Sequence, residues 1–183
     1  MTREARRPVA FLDRDGTIIE DVHYIAHPDH VTLIDGAAHA IRALNRAGWA
    51  VVVITNQSGI GRGKLTEADY ESVRARVDEL VESQGAMIDR HYHCPHTPDE
   101  HCECRKPGTL LHRRAIADLD LDASRLATVG DRWRDVEPAL TLHGRGILVP
   151  SPDTPPEDLE RVEREARLAP SLGAAVDIIL GAG

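Results

Sequence analysis

Aromatic residues are scarce in this chain of 183: one Phe, three Tyr and two Trp, 3% in all. A core cannot be built on rings. The 42% of hydrophobic residues must fill it with aliphatic runs such as Val51-Val52-Val53-Ile54. No apolar stretch reaches the ~20 residues needed to cross a bilayer. Net positive charge is lacking as well, since the formal charge is −8. That excludes binding DNA, RNA or an anionic membrane through a general field, while a local cluster of cations can still hold a small anion. Lysine occurs only as Lys64 and Lys106, and the remaining strong bases are Arg. The three cysteines, Cys94, Cys102 and Cys104, fall in one short segment. Such crowding is a metal pattern rather than a disulfide framework. The basic segment Met1–Pro8 runs into a strand without the apolar region of a signal peptide, so a cytoplasmic protein is expected.

Short apolar runs alternate with amphipathic stretches. Strands are expected at Val9–Leu12, Ala50–Ile54, Asp89–His93, Leu126–Val129 and Gly146–Val149. The second is apolar without alternation, as in a strand covered on both faces. Asp35 is placed to cap a helix through Ala37, Ile41 and Leu44 that Gly48 stops. Thr66 is placed to cap another, with Leu65 and Tyr70 as a hydrophobic staple and Val73, Val77, Leu80 and Val81 on one face. Further helices are expected over Leu110–Leu119, Val136–Leu142, Glu157–Arg167 and Leu172–Leu180, with Ser151–Pro156 a Pro-rich loop. This alternation predicts an α/β fold, a doubly wound parallel sheet in one domain spanning 1–183. No interval has room for an inserted cap domain.

In such folds the ligand sits at the carboxyl ends of the strands. There the sequence places Asp13-Arg14-Asp15-Gly16-Thr17, Thr55-Asn56-Gln57-Ser58-Gly59, the Cys/His segment with Arg105-Lys106-Pro107, and Gly130-Asp131-Arg132-Trp133-Arg134-Asp135. A lone Asp after a strand is usually a turn or a helix cap. Four polar sets in register with four strands make that reading much weaker. Asp13, Asp15 and Asp131 are expected to converge. Two carboxylates about 4 Å apart repel by about 4 kcal/mol at an effective dielectric near 20, so the group needs a cation. Hard oxygens without His suit Mg²⁺, which also takes phosphate oxygens. Asp13 is then nucleophile and metal ligand, and Asp15 protonates the leaving oxygen and later activates water. Thr55 and Asn56 offer donors to phosphate oxygens, and Lys106 offers charge to the transferring phosphoryl group.

Cys94, His96, Cys102 and Cys104 form a Cys₃His set. Four protein ligands close a tetrahedron, so a zinc ion there would be structural and would aim Arg105 and Lys106. His91, His93 and His101 are expected at the surface or behind the ligands. His112, like His27 and His30, is expected to face solvent.

Together, Asp13-Arg14-Asp15-Gly16-Thr17, Thr55, Lys106 and Gly130-Asp131 resemble the four signature motifs of haloacid dehalogenase superfamily phosphatases. Phe11–Thr17, Thr55–Ile60, Cys94-Pro95-His96 and Cys102–Pro107 are similar to the branch holding the D-glycero-D-manno-heptose 1,7-bisphosphate phosphatases and the histidinol-phosphate phosphatases. The resemblance implies a Rossmann-like capless fold and a phosphoaspartyl intermediate on Asp13. It implies Mg²⁺ on Asp13, Asp131 and the Asp15 main-chain carbonyl, and zinc on the Cys₃His loop. It also implies sugar contacts from Asp21-Val22-His23-Tyr24, substrate contacts from Gln57 and Ser58, a grip on a distal phosphate by Arg105, and a phosphate contact from Arg132, where Lys is common.

Gln57–Lys64 and the Thr-capped helix after it resemble the heptose enzymes. The short zinc loop resembles the histidinol-phosphate enzymes, and His23 stands where the heptose enzymes usually have glycine. The longer match favours a phosphorylated sugar as substrate, removal of the 7-phosphate, and a monomer without nucleic-acid or membrane partners. An inactive zinc-stabilised binding module is the alternative of another class. It is opposed by the presence of nucleophile, acid/base residue, phosphate lysine and metal aspartate together.

Overall fold

A computed structural model of the chain describes residues 5–181; the first four residues of the basic N-terminal segment and the last two of the chain lie outside them. Six parallel strands form one sheet in the order β3-β2-β1-β4-β5-β6. They are β1 Val9–Leu12, β2 Ala50–Asn56, β3 Arg90–Cys94, β4 Leu126–Gly130, β5 Arg145–Leu148 and β6 Arg167–Leu168. The helices are α1 Ala37–Arg46, the short α2 Ser58–Gly61, α3 Glu67–Ser83, α4 Leu110–Asp118, α5 Trp133–Thr141, α6 Pro156–Glu165 and α7 Leu172–Leu180.

The sheet is covered on both faces because its strands are apolar at both parities. Ala10, Leu12, Val51, Val53, Ala127 and Val129 pack on the side of α1, α3 and α7. Val9, Phe11, Val52, Ile54 and Leu126 pack on the side of α4. Thr66 caps α3 as expected: its Oγ1 accepts from Asp69 N at 3.1 Å, and Asp69 Oδ2 accepts from Thr66 N at 2.7 Å. Such a cap contributes about 1 kcal/mol.

Three local expectations change. The residue that starts α1 is Gly36, not Asp35, because the chain turns there through φ 78°, which a glycine adopts at little cost. The helix α5 begins at Trp133, three residues early, where Asp135 accepts a hydrogen bond from Arg132 N at 3.0 Å. The sixth strand was not expected. It has two exposed residues, paired only with Ile147 and Leu148 at the sheet edge, and two residues carry no readable alternation. Among the described residues, no helix is long and apolar enough to cross a membrane.

Candidate active site

The strand order reverses around β1, so its carboxyl end, with those of β2 and β4, opens a crevice. β1 stops at Leu12, and Asp13 N still donates to Val129 O at 2.9 Å. Asp13 is therefore pinned at the sheet end while the chain after it turns away. Gly16 makes that turn at φ 81°, where a Cβ would stand 2.7 Å from Asp131 Oδ2. Only glycine lets the first loop lie against the fourth.

Asp13, Asp131 and Asp135 are all buried and offer carboxylate oxygens within 4.8 Å of one another. Into this group reaches Lys106, itself buried. Its Nζ donates to Asp13 Oδ1 and Ile54 O, both at 2.6 Å, and lies 2.7 Å from Asp135 Oδ1. Burial pushes the Asp13 carboxyl up to about 7; Lys106 opposes this, and Asp135, Asp15 and Asp131 add to it. Burial alone would lower the Lys106 pKa, but Asp13 and Asp135 outweigh it and hold the ammonium charged. Lys106 bridges Asp13 and Asp135, Asp131 has Arg132 Nε 3.4 Å away, and the three carboxylates stay crowded. The donors are hard oxygens, which fit a divalent cation such as Mg²⁺.

Asp15 is held apart from this group. Arg14 donates from Nε and Nη2 to its two oxygens, each at 3.1 Å, and Gln57 Nε2 donates at 2.8 Å. The expected carboxylate cluster is thus altered: Asp135 stands beside Asp13 and Asp131, and the Asp15 carboxylate faces Arg14, Gln57 and Thr55. Asp135 lies in the first turn of α5, where one oxygen accepts from Arg132 N and the other meets Lys106. Gly130 makes room for it, because a Cβ there would overlap Asp135.

Asn56 is tied to Lys106. Its Oδ1 accepts from Lys106 N at 3.0 Å and its Nδ2 donates to Lys106 O at 3.2 Å. The side chain therefore fixes Lys106, and it lines the cleft with one Nδ2–H not committed to that contact.

One cleft of about 340 Å³ takes in Asp13, Asp15, Asp21, His23, Tyr24, Thr55, Asn56, Gln57, Ser58, Arg105, Lys106, Asp131 and Arg132. Arg14 and Arg134 also line it and were not singled out from the sequence. Arg14 carries no signal beyond its place between two aspartates. At the rim, His23 and Tyr24 both adopt φ 50°, and His23 N donates to Asp21 Oδ1 at 2.9 Å. Left-handed backbone at two successive non-glycine residues is strain of the kind found at functional sites.

Cys94, His96, Cys102 and Cys104 meet beside the cleft. The sulfur separations are 3.1–3.5 Å, and His96 Nδ1 lies 3.2 Å from Cys104 Sγ. These are too long for a disulfide, whose sulfurs are about 2.05 Å apart. They suit four ligands drawn round one small ion. Arg105 Nη1 donates back to His96 O at 3.3 Å, tying the loop to the cation it carries.

Two histidines are not at the surface. His91 Nε2 meets Asp78 Oδ1 at 2.7 Å against α3, with its side chain 5% exposed. His112 is buried edge-on to Phe11, with ring centroids 4.9 Å apart, because it shares the inward face of α4 with Leu111 and Ala115. Burial, aided by Lys106, pushes its pKa down to about 3.

Comparison with known proteins places this geometry. Residues 103–175 match the HAD-hydrolase-like family, and residues 8–133 match the polynucleotide kinase 3 phosphatase family. The D-glycero-beta-D-manno-heptose-1,7-bisphosphate 7-phosphatase of Escherichia coli K12 is 41% identical over 152 residues, 78% of each chain. That of Pseudomonas aeruginosa is 40% identical over 144 residues, 78% of this chain and 81% of its own. The D,D-heptose 1,7-bisphosphate phosphatase of B. bronchiseptica, solved with magnesium and phosphate, superposes with a TM-score of 0.85. It is 29% identical, over 96% of this chain and 99% of its own.

Proposed function

This chain belongs to the heptose-1,7-bisphosphate 7-phosphatase family of haloacid dehalogenase-like hydrolases, and from that premise we propose that it removes the 7-phosphate of D-glycero-D-manno-heptose 1,7-bisphosphate. The observation that carries this reading is the buried Asp13–Lys106 pair at 2.6 Å, set among further aspartates in a cleft rimmed by Arg105, Arg132 and Arg134.

Asp13 attacks phosphorus, the bond from phosphorus to the C7 oxygen breaks, and Asp15 gives its proton to that oxygen. Asp15 then takes a proton from water, whose oxygen attacks phosphorus and breaks the acyl phosphate on Asp13, releasing inorganic phosphate. Thr55 and Lys106 hold the phosphoryl oxygens, and Asn56 keeps Lys106 in place. Asp13, Asp131 and Asp135, the last at least through the charge it adds, would hold Mg²⁺ with the Asp15 carbonyl. The ion supplies charge neutralisation at the transferring phosphoryl group. Asp21, His23, Tyr24, Gln57 and Ser58 face the sugar, and Arg105 and Arg132 face phosphate. The Cys₃His cluster holds a structural zinc ion that keeps Arg105 and Lys106 aimed.

Two covered faces on one sheet support reading residues 1–183 as a single catalytic domain. The charge of −8 supports a monomer acting on a small sugar phosphate, and the run of Met1–Pro8 into a strand without an apolar leader pattern supports a cytoplasmic one.

The match to polynucleotide kinase 3 phosphatase favours a second reading, a 3′-phosphorylated nucleic acid as substrate. The same net charge opposes it. Phosphate release from heptose 1,7-bisphosphate, histidinol phosphate and a 3′-phosphorylated oligonucleotide tests the choice, with Asp13→Asn as control. Heptose bisphosphate should turn over fastest. Faster release from either competitor would overturn the reading.

A further inference from the structure

The Pro-rich stretch after β5 reads in the sequence as a connecting loop. In the fold it closes over the loop after β4. Ser151 Oγ donates to Asp131 Oδ2 at 2.6 Å, and Thr154 Oγ1 donates to Asp131 O at 2.8 Å. Ser151 N in turn donates to Thr154 Oγ1 at 2.8 Å, so the two contacts form one unit. The Asp131 carboxylate is buried, and its Oδ2 is occupied from three sides. Ser151 donates to it, Arg132 Nε lies 3.4 Å away, and the bare Cα of Gly16 closes the space beyond. Among the described residues, no side chain or backbone group donates to Oδ1.

We propose that Ser151 is a positioning residue for cation binding. Its hydroxyl fixes Asp131 Oδ2, so that the carboxylate stays in place beside those of Asp13 and Asp135. A carboxylate ligand that is free to rotate loses part of its affinity to entropy and to competing poses. One whose second oxygen is hydrogen-bonded is oriented before the ion arrives, and losing such a partner typically costs 10–100-fold in metal affinity. The inference rests on the magnesium reading of the aspartates, and its test does not require the heptose substrate.

Mg²⁺ is titrated calorimetrically into zinc-loaded, magnesium-free protein. Ser151→Ala is expected to raise the Kd for Mg²⁺ about tenfold or more. Ser151→Thr, which keeps the hydroxyl, should bind as the wild type does. A merely structural serine would lower Tm in both magnesium-free and magnesium-loaded protein and leave Kd alone. Should Ser151→Ala not fold, the near-isosteric pair Ser151→Thr and Ser151→Val isolates the hydroxyl. Unchanged Kd in Ser151→Ala, or an equal loss in the Thr and Val variants, would overturn the inference alone. A wild-type protein that binds no Mg²⁺ would overturn the metal reading and this inference with it.

Discussion

The oxygen cluster and the sulfur cluster lie side by side in the fold and are built in opposite ways. Asp13, Asp131 and Asp135 come from distant parts of the chain and meet only because β1 and β4 are neighbours in the sheet. Cys94, His96, Cys102 and Cys104 are local in sequence and need only a loop to meet. The first set is buried and crowded with like charge, with Lys106 as its internal cation. The second is partly exposed and has four ligands for one tetrahedron. A cluster assembled by the fold can lose its ion and keep its frame. A local cluster has little apolar support, so its ion is part of the frame.

Chemistry at the oxygen cluster gives the largest expected effect. Asp13→Asn should abolish turnover and phosphoenzyme formation. Asp15→Asn should lower kcat by roughly 10²–10⁴-fold, the usual worth of a general acid–base group. Asp13→Asn should shift Tm by no more than a few degrees, since Lys106 keeps Asp135 and the crowding of carboxylates is relieved; Asp15→Asn should cost more, because buried Arg14 loses its charged partner. A large Tm loss in Asp13→Asn would break the contrast, by showing that the oxygen cluster also holds the fold. A smaller but broader effect is expected at the sulfur cluster. Cys104→Ser, or removal of zinc by a chelator, should lower Tm by about 10 °C, taking ~2–4 °C per kcal/mol for a chain of this size. Activity should fall with it, because Arg105 and Lys106 follow Cys104 directly. Thermal melts with and without chelator check this; full activity in zinc-free protein would sink the aiming role.

The same contrast explains what was legible in the sequence. The local sulfur set was readable from spacing alone. Asp13, Asp15 and Lys106 were readable because each follows a strand or a recognisable motif. Asp135 carries a signal only as a helix cap, and it does accept from Arg132 N, while its contact with Lys106 is set by the fold. Asn56 reads as a phosphate donor, and spacing cannot show that its amide also holds the Lys106 backbone. Ser151 carried no signal, since its partner Asp131 is reached only through the folded packing of the β4 and β5 loops. The limit is physical: spacing reports residues that act within one turn or strand end. It does not report side chains whose partner is fixed by tertiary contact.

His112 lies at the seam between the two clusters and gives the smallest, most graded prediction. It touches Phe11, and the same packed layer includes Cys94, Leu111 and Ala115. Its pKa is about 3 in the fold against 6.5 for a free side chain, because burial and the Lys106 charge both disfavour the imidazolium. The unfolded chain therefore binds this proton first. Stability contributed by the neutral ring is complete above pH 6.5 and is lost as pH falls from there toward 3, by on the order of 1 kcal/mol per pH unit. His112→Phe removes the titrating group while filling the site, so it should flatten the acid limb of the stability curve. Urea melts of wild type and variant between pH 7.5 and 4.5 measure it. Parallel curves would mean that His112 is protonated in the fold, and that the seam beneath Lys106 carries water or an anion able to support the charge.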